Sequence, residues 1–599
     1  MSQEVELAEL ASLPEFYHPR VSPDGERVAF YYDESGRNEL YVQDIETGDR
    51  EQVSDGDVPR SARWPLAWDP SGERVFFHQD DDGDEQNDIH AISLSGEVES
   101  VVEVPGQAVL HDVREDGRYL LYGSDEGEQM NLYRHDTESG ESEQLTEYEK
   151  PVHSGSFSPD GDRIAYTTNE SDDLENRDAY VMRSDGSEKQ KLDVGEEGAE
   201  ADVNDWHPDG SRLLVTDNTP DLGRVGIYDL EADSVKWLSG GEFEESGAAF
   251  GPDGETVVAN RVREAATMPV VYDLDGAVRE LDLPAGVAGL AGGEHFDSSG
   301  RALLAHTASD ERKTLYAYDF DTDGTDTLIA PAYGEIDPET FVESEYVTYE
   351  SRDGLEIGAL LYDSGERPSP AVVLVHGGPH ARSMPAFDLY AQFLVSRGYS
   401  VLQPNYRGST GRGREFKNRI HGDWGGGEQA DVAAGGRWLA DQDWVDEDRI
   451  AVMGGSYGGY SAYWQMVQYP ELWTTGIAQV GITDLEALYE SSMPHFQAVL
   501  EQQLGDPDED ADFYRERSPI THVENIQNPI FMVHGVNDPR CPIEQARVFR
   551  DALEEMGWEE GADGDFEYEE LGEEGHGSSD IQQKIRSFEL VDDYLGRRL

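Results

Sequence analysis

Three residues in the C-terminal half have the types and the order that nucleophilic catalysis needs: Ser456, Asp538 and His576. Ser456 lies in residues 454–459 (GGSYGG), which contain the pattern G-x-S-x-G. In that pattern the serine occupies a sharp turn between a strand and a helix, where its hydroxyl stands clear of the backbone. A serine is a weak nucleophile without a base, and the base needs an orienting acid. The chemistry indicated is acyl transfer to the serine hydroxyl, with the triad in the chain order Ser, Asp, His.

The elements around these residues place all three at the ends of predicted strands. An apolar strand at 449–453 precedes Ser456 and a predicted helix at 458–469 follows it. Asp538 follows the strand at 529–533, and His576 follows the strand at 565–571. Because acids are abundant, Asp538 is chosen by position. On the motif alone, an ordinary glycine-rich turn is the alternative.

Other histidines fit the role of base less well. His534 lies within an apolar strand and is expected to be structural, whereas His495 and His522 lie outside any strand-end loop. Oxyanion stabilisation requires preorganised N–H donors. The amide of Tyr457 is one expected donor, and the amide of Gly378, in the HGGP turn at 376–379, is the other. A purely structural turn is the alternative for that loop.

The segment that carries these residues, 341–599, alternates apolar strands with helical stretches. This alternation predicts a doubly wound, mostly parallel sheet with helices on both faces, the α/β-hydrolase architecture. The predicted strands are 371–375, 400–403, 449–453, 476–480, 529–533 and 565–571, and the predicted helices are 387–397, 427–442, 458–469, 544–556 and 579–595.

The N-terminal half is a repeat array. A turn with Asp-Gly or Ser-Gly followed by alternating apolar residues recurs seven times, at glycines 25, 72, 117, 161, 210, 254 and 300. Each copy has a second hairpin, so each unit holds about four short strands, the content of one propeller blade. We therefore predict an all-β, seven-bladed β-propeller over 20–335, with 1–19 as a separate N-terminal segment. A β-solenoid or a pair of sandwiches is the alternative.

Composition restricts the partners and the compartment. The chain of 599 residues has 45 Lys+Arg against 127 Asp+Glu, a formal net charge of −82, and only seven lysines. This balance is typical of proteins from salt-in halophiles, with a merely acidic mesophilic protein as the alternative. Nucleic acid and anionic membranes are poor partners for such a surface. With a single cysteine, Cys541, no apolar span and no basic leader at its start, the sequence predicts a soluble cytoplasmic protein without disulfides.

No metal or organic cofactor is predicted. Residues 319–324 (DFDTDG, with Asp319, Asp321 and Asp323) match the start of an EF-hand loop, but its twelfth position is Ala330 rather than the required glutamate. The acidic run at 80–84 is likewise interpreted as a solvated hairpin loop.

Five motifs resemble the prolyl oligopeptidase family of serine peptidases, in its acylaminoacyl-peptidase and dipeptidyl-aminopeptidase branch. They are VHGGPH at 375–380, NYRGS at 405–409, GDWG at 422–425, GGSYGG at 454–459 and NDPR at 537–540. The resemblance implies a propeller that caps the active site and admits only short peptides, and an N-terminal segment that packs on the hydrolase domain. It leaves the oligomeric state open, since family members range from monomers to hexamers.

The resemblance also has departures. The glutamate pair that binds a free N-terminus in dipeptidyl-peptidase relatives cannot be singled out here, and Cys541 stands where the family often has an aliphatic residue. We expect a serine peptidase that removes N-acylated amino acids or acts as an oligopeptidase. A carboxylesterase with the same triad, a dipeptidyl aminopeptidase and a non-catalytic ligand-binding propeller are the alternatives.

Overall fold

A computed structural model describes residues 6–80, 84–572, 574–577 and 580–599. Seven small antiparallel sheets and one eight-stranded sheet make up the fold, which confirms the predicted pairing of a seven-bladed propeller with an α/β-hydrolase domain. The blade strands, from blade 1 to blade 7, are Phe16–Val21, Arg27–Tyr32, Glu39–Asp44 and Arg50–Gln52; Ala67–Trp68, Arg74–Gln79, Asp88–Ser93 and Val98–Val102; Ala108–Val113, Tyr119–Ser124, Asn131–Asp136 and Glu141–Gln144; Ser154–Phe157, Arg163–Thr168, Asp178–Arg183 and Gln190–Lys191; Ala201–Trp206, Arg212–Asp217, Arg224–Asp229 and Ser234–Trp237; Glu244–Phe250, Thr256–Arg263, Ala266–Asp273 and Val278–Glu280; Val287–Leu290, Ala302–Thr307, Thr314–Asp319 and Gly324–Ile329.

The repeated glycine forms the same turn in every blade. At all seven repeat positions φ lies between +69° and +86°, the left-handed region that glycine enters without a steric penalty. Each turn joins the first and second strands of its blade. The second and third strands of the blades are mostly buried between neighbouring sheets, whereas several fourth strands are fully exposed. Each repeat in the sequence therefore corresponds to one turn of the same geometry and to one pattern of strand burial.

The first and seventh blades close directly on each other. A short strand, Gly292–Gly293, pairs in parallel with Phe16–Val21 of blade 1. Arg312 of blade 7, 1% exposed, donates to the carbonyls of Pro14 (2.7 Å) and Leu13 (3.1 Å). The chain segment that enters blade 1 is thus held by the last blade.

The hydrolase sheet has eight strands in the order 1-2-4-3-5-6-7-8. The two pairs that involve β2 are antiparallel, and all other pairs are parallel. Its strands are β1 Glu345–Glu350, β2 Glu356–Tyr362, β3 Ser369–Val375, β4 Ser400–Asn405, β5 Val445–Gly455, β6 Thr475–Gln479, β7 Ile530–Gly535 and β8 Phe566–Leu571.

Helices cover both faces of this sheet, which explains why its central strands are apolar at nearly every position. The helices α4, α5 and α9 contribute to the core on one face, and α1, α2 and α10 contribute to the core on the other. The chain forms ten helices within the described residues: α1 Leu7–Ala11, α2 Leu389–Ser396, α3 Arg414–Lys417, α4 Gly427–Ala440, α5 Tyr457–Gln468, α6 Leu485–Ser491, α7 Pro494–Leu504, α8 Ala511–Glu516, α9 Glu544–Glu555 and α10 Ile581–Arg598.

The N-terminal segment packs on the hydrolase domain. Leu10, Ala11 and Leu13 are buried in the same apolar cluster as Phe588 and Val591 of α10. Across the described ranges, no helix is both long enough and apolar enough to span a bilayer. Some predicted segments include residues that are not described: the N-terminal segment 1–19 includes 1–5, the acidic run at 80–84 includes 81–83, and the last helix is predicted to begin at 579.

Candidate active site

Ser456 lies at the point where β5 ends and α5 begins. Its backbone has φ 58° and ψ −121°, a conformation that non-glycine residues rarely adopt, and its amide donates to the carbonyl of Gln479 at 3.0 Å. Strained backbone of this kind is the geometry of a nucleophile on a sharp strand-to-helix turn. The motif therefore forms the turn that its sequence predicts.

The glycines of the motif are required by close backbone approach. A Cβ atom on Gly454 would lie 2.4 Å from the carbonyl oxygen of Gly458. A Cβ atom on Gly458 would lie 2.1 Å from the carbonyl oxygen of Val375, the last residue of β3. Both distances are too short for any side chain, so these two glycines let α5 begin directly against the end of β3.

Asp538 and His576 are brought together from the loops after β7 and β8. His576 Nδ1 lies 2.8 Å from Oδ2 and 3.0 Å from Oδ1 of Asp538. The amides of Arg540 and Cys541 each donate to Asp538 Oδ1 at 2.9 Å, so the buried carboxylate is fixed in direction. Because a carboxylate only accepts, Nδ1 carries the proton and Nε2 keeps its lone pair. This is the tautomer that can remove a proton from a serine hydroxyl.

Cys541 contacts both the serine and the acid. Burial raises the pKa of its thiol well above the ordinary value, the Asp538 charge adds to that rise, and a hydrogen bond with the Ser456 hydroxyl opposes it. The thiol is 3% exposed. The ring of His534 is buried, and its Nε2 lies 2.6 Å from the Cys541 carbonyl oxygen. His534 thus supports the loop that carries Asp538.

The loop after β3 approaches the serine on its other side. A Cβ atom on Gly377 would lie 4.0 Å from Ser456 Oγ, and Gly378, the predicted oxyanion donor, has φ +124°. Tyr457 is the first residue of α5, so its amide has no partner inside the helix. The assignment of the Tyr457 and Gly378 amides as oxyanion donors stays a prediction. All five predicted residues lie at the carboxyl edge of the parallel sheet.

The Tyr457 side chain is held by a buried carboxylate. Its hydroxyl donates to Glu428 Oε1 at 3.0 Å, and the amides of Gly425 and Gly426 also donate to this carboxylate. Burial raises the pKa of Glu428 to about 7, against the lowering effect of those hydrogen bonds. The Trp424 ring meets the Tyr457 ring edge-on, with centroids 4.6 Å apart. The backbone after the nucleophile is thereby anchored to α4.

The propeller contributes residues that sequence reasoning missed. Glu85 accepts from Arg540 Nε at 2.9 and 3.0 Å, and it also pairs with Arg63. A small cavity lined by Arg63, Trp64 and Glu85 borders His576. Burial and the Arg540 charge lower the pKa of Arg63 to about 9. With 127 acids in the chain, no local signal distinguishes Glu85.

A larger cavity, of about 700 Å³, lies between propeller loops and α7. It is lined by residues that follow blade 3 and by the loop between the second and third strands of blade 4. Leu174 and Val499 face this space and are each 40% exposed. Burial lowers the pKa of His495, in the first turn of α7, and the charges of Arg63 and Arg540 add to that lowering.

Comparison with known proteins gives two family matches. Residues 385–599 match the prolyl oligopeptidase family, and residues 10–179 match the TolB β-propeller domain. The structure of the chain is similar to that of a puromycin-hydrolyzing peptidase from Mycobacterium tuberculosis, with a TM-score of 0.85 and 20% sequence identity. The similarity covers 99% of this chain and 96% of that one. That similarity shows the fold.

Three curated relatives illustrate the range of activities. The uncharacterized peptidase YuxL of Bacillus subtilis is 27% identical over 90% of this chain and 84% of its own length. Dipeptidyl aminopeptidase BIII of Pseudoxanthomonas mexicana is 34% identical over 40% of this chain, and the human acylamino-acid-releasing enzyme is 30% identical over 35%. The matches span only 37% and 30% of the lengths of these last two enzymes.

Proposed function

We propose, from the match of residues 385–599 to the prolyl oligopeptidase family, that this protein is a serine peptidase that hydrolyses short peptides, either by removing N-acylated amino acids or as an oligopeptidase. The observation that carries the proposal is the Asp538–His576 pair, with Nδ1 at 2.8 Å from the carboxylate, at the same sheet edge as the strained Ser456 turn. The family match indicates the class of reaction, and the geometry of the site indicates the residues that would carry it out.

The proposed reaction has two steps. His576 Nε2 takes the proton of Ser456 as Oγ attacks the peptide carbonyl, and Asp538 stabilises the imidazolium that forms. The Tyr457 and Gly378 amides stabilise the oxyanion. His576 then gives its proton to the leaving amine, and water hydrolyses the acyl-serine by the same route in reverse.

Two features support short peptides as substrates. The catalytic residues lie under the propeller, whose Glu85 contacts the loop of Asp538 through Arg540. We expect a peptide to reach Ser456 only through spaces of limited size between the two domains, and the 700 Å³ cavity beside α7 is a candidate for binding part of it. The apolar surfaces of Leu174 and Val499 in that cavity would contact apolar side chains of a peptide.

The charges next to His576 support a blocked N-terminus. Two arginines, Arg63 and Arg540, pair with the Glu85 carboxylate there, and Asp80 also lines the cavity. A free α-ammonium beside the arginines would face like charges, and Glu85, one candidate anchor, is already paired. A neutral acyl group would meet no such repulsion.

The decisive test compares p-nitroanilides of one short peptide with acetylated and free N-termini. We expect the acetylated substrate to have a kcat/KM at least about tenfold higher, the equivalent of 1.4 kcal/mol of charge repulsion. Ser456→Ala is the control and should abolish cleavage of both. Cleavage of the free amine alone would instead establish a dipeptidyl aminopeptidase. Turnover of p-nitrophenyl esters without any amide cleavage would establish a carboxylesterase.

A further inference from the structure

A chain of polar contacts runs from the propeller to the loop that follows β3. Glu175, in the loop between the second and third strands of blade 4, lies with Oε1 3.0 Å from His421 Nδ1. His421 Nε2 lies 3.1 Å from His380 Nε2, and His380 Nδ1 lies 2.8 Å from the Gly408 carbonyl oxygen. His380 is two residues after Gly378, so this chain ends on the predicted oxyanion loop.

The partners fix where the protons are. A carbonyl oxygen only accepts, so His380 Nδ1 carries a proton and donates it to Gly408. A carboxylate also only accepts, so His421 Nδ1 carries a proton and donates it to Glu175. The two facing Nε2 atoms need one further proton between them, because two lone pairs at 3.1 Å would repel. The pair of histidines therefore holds three N–H groups and one positive charge.

The surroundings place that charge on His421. Burial, with a smaller contribution from the Lys417 charge, lowers the pKa of His380 to about 4. Lys417 is itself paired with Glu200 of blade 5, which Arg177 also contacts at 3.9 Å. Glu175 faces His421 directly and accepts a second hydrogen bond from Asn418 at 2.6 Å. A neutral His380 thus accepts from a protonated His421.

We propose that Glu175, His421 and His380 are positioning residues for the oxyanion loop, with protonated His421 as the link through which the propeller holds that loop. The inference depends on the proposed function, because its kinetic consequence requires an oxyanion at Gly378. Deprotonation of His421 leaves either two facing lone pairs or a lone pair against the Glu175 carboxylate. The link is then broken, so loss of that proton, or of the imidazole itself, displaces the oxyanion loop and lowers kcat.

Kinetics of His421 variants test the role. We expect His421→Ala to lower kcat about tenfold, less than the full loss of an oxyanion donor, with KM changed less than about twofold because no substrate contact is removed. His421→Arg keeps a permanent cation with several donors and should restore kcat. Glu175→Gln should lower kcat as His421→Ala does, because it removes the charge that faces His421, and Asp172→Asn, on the exposed part of the same loop, should leave kcat and KM unchanged.

A direct measurement separates this inference from the proposed function. In Ser456→Ala protein labelled with ¹⁵N-histidine, we expect the imidazole of His421 to have both nitrogens protonated and its signals to be absent in His421→Arg. This readout needs no catalysis, so it holds even if the protein cleaves only esters. A neutral His421 in that spectrum would overturn the proposal. Equal kcat values for the wild type and His421→Ala, or a kcat of His421→Arg no higher than that of His421→Ala, would overturn it as well.

Discussion

At the residue scale, the buried carboxylate of Glu428 supports the backbone next to Ser456. Glu428 is fully buried, and its hydrogen-bond donors among the described residues are neutral: the amides of Gly425 and Gly426 and the hydroxyl of Tyr457. Burial raises its pKa, and no cation in that part of the chain pairs with it to oppose the rise. Because burying this carboxylate without a cation is unfavourable, we infer that its hydrogen bonds to the backbone around Ser456 are needed.

The raised pKa gives a prediction for stability. Between pH 4.5 and about 7 the unfolded chain has released the Glu428 proton while the folded protein still holds it, so this group's contribution to stability falls as the pH rises. We expect the loss to be on the order of 3 kcal/mol. Urea denaturation of the wild type and Glu428→Gln across this range should show the wild-type advantage decreasing with pH.

The control for this measurement is Glu447→Gln, at an exposed position. Its difference from the wild type should be small at every pH, because surface substitutions change stability by at most about 0.5 kcal/mol. A wild-type advantage over Glu428→Gln that stays constant from pH 4.5 to 7 would contradict the prediction.

At the element scale, the position of α5 depends on glycine at one side of the turn and not at the other. Gly458 abuts the carbonyl of Val375, with 2.1 Å left for a Cβ atom. The nearest atom to a Cβ on Gly455, the carbonyl oxygen of Gln479, is 3.8 Å away, an ordinary contact distance. The two glycines lie on either side of Ser456, so the effects of the same substitution at each position can be compared directly.

We expect Gly458→Ala to move α5 away from β3, to cost about 1–3 kcal/mol in the free energy of unfolding, and to lower kcat about 100-fold by displacing Ser456. Gly455→Ala should leave both quantities nearly unchanged. Chemical denaturation gives the first quantity, and active-site titration with a serine-reactive phosphonate followed by steady-state kinetics gives the second. Equal effects of the two substitutions would show that the close approach at Gly458 does not determine the geometry of the turn.

At the scale of the whole molecule, charge is the dominant feature. A formal charge of −82 on 599 residues opposes a compact state through self-repulsion. The Debye length is about 10 Å at 0.1 M salt and about 3 Å at 1 M salt, so molar salt screens this repulsion. The propeller and hydrolase domains both carry the excess of acids, and they also contact each other.

We therefore expect the Tm to rise steadily between 0.1 M and 3 M KCl, and peptidase activity to be lost at low salt together with the folded structure. A series at pH 4.5, where many surface carboxylates are protonated, serves as the comparison, because the salt dependence should be weaker there. Circular dichroism with parallel activity measurements would follow both quantities. A Tm that does not change with KCl concentration would contradict the role of screening.

Sequence by itself determined the fold class and the identity of the candidate triad. The turn glycines recur at a nearly fixed interval, and Ser456, Asp538 and His576 follow successive strands in order. These are local patterns. A turn that needs positive φ favours glycine at one position, and a strand buried on both faces favours a continuous run of apolar residues.

Only the tertiary structure shows which acidic residues of the propeller contact the hydrolase domain. Glu85 contacts Arg540 across 455 positions of sequence, and Glu175 contacts His421 across 246. Nothing near these glutamates in the chain sets them apart from the other acids, since their roles arise from the packing of the propeller on the hydrolase domain. Residues so far apart in sequence are brought together by burial of both domains, which no local pattern encodes.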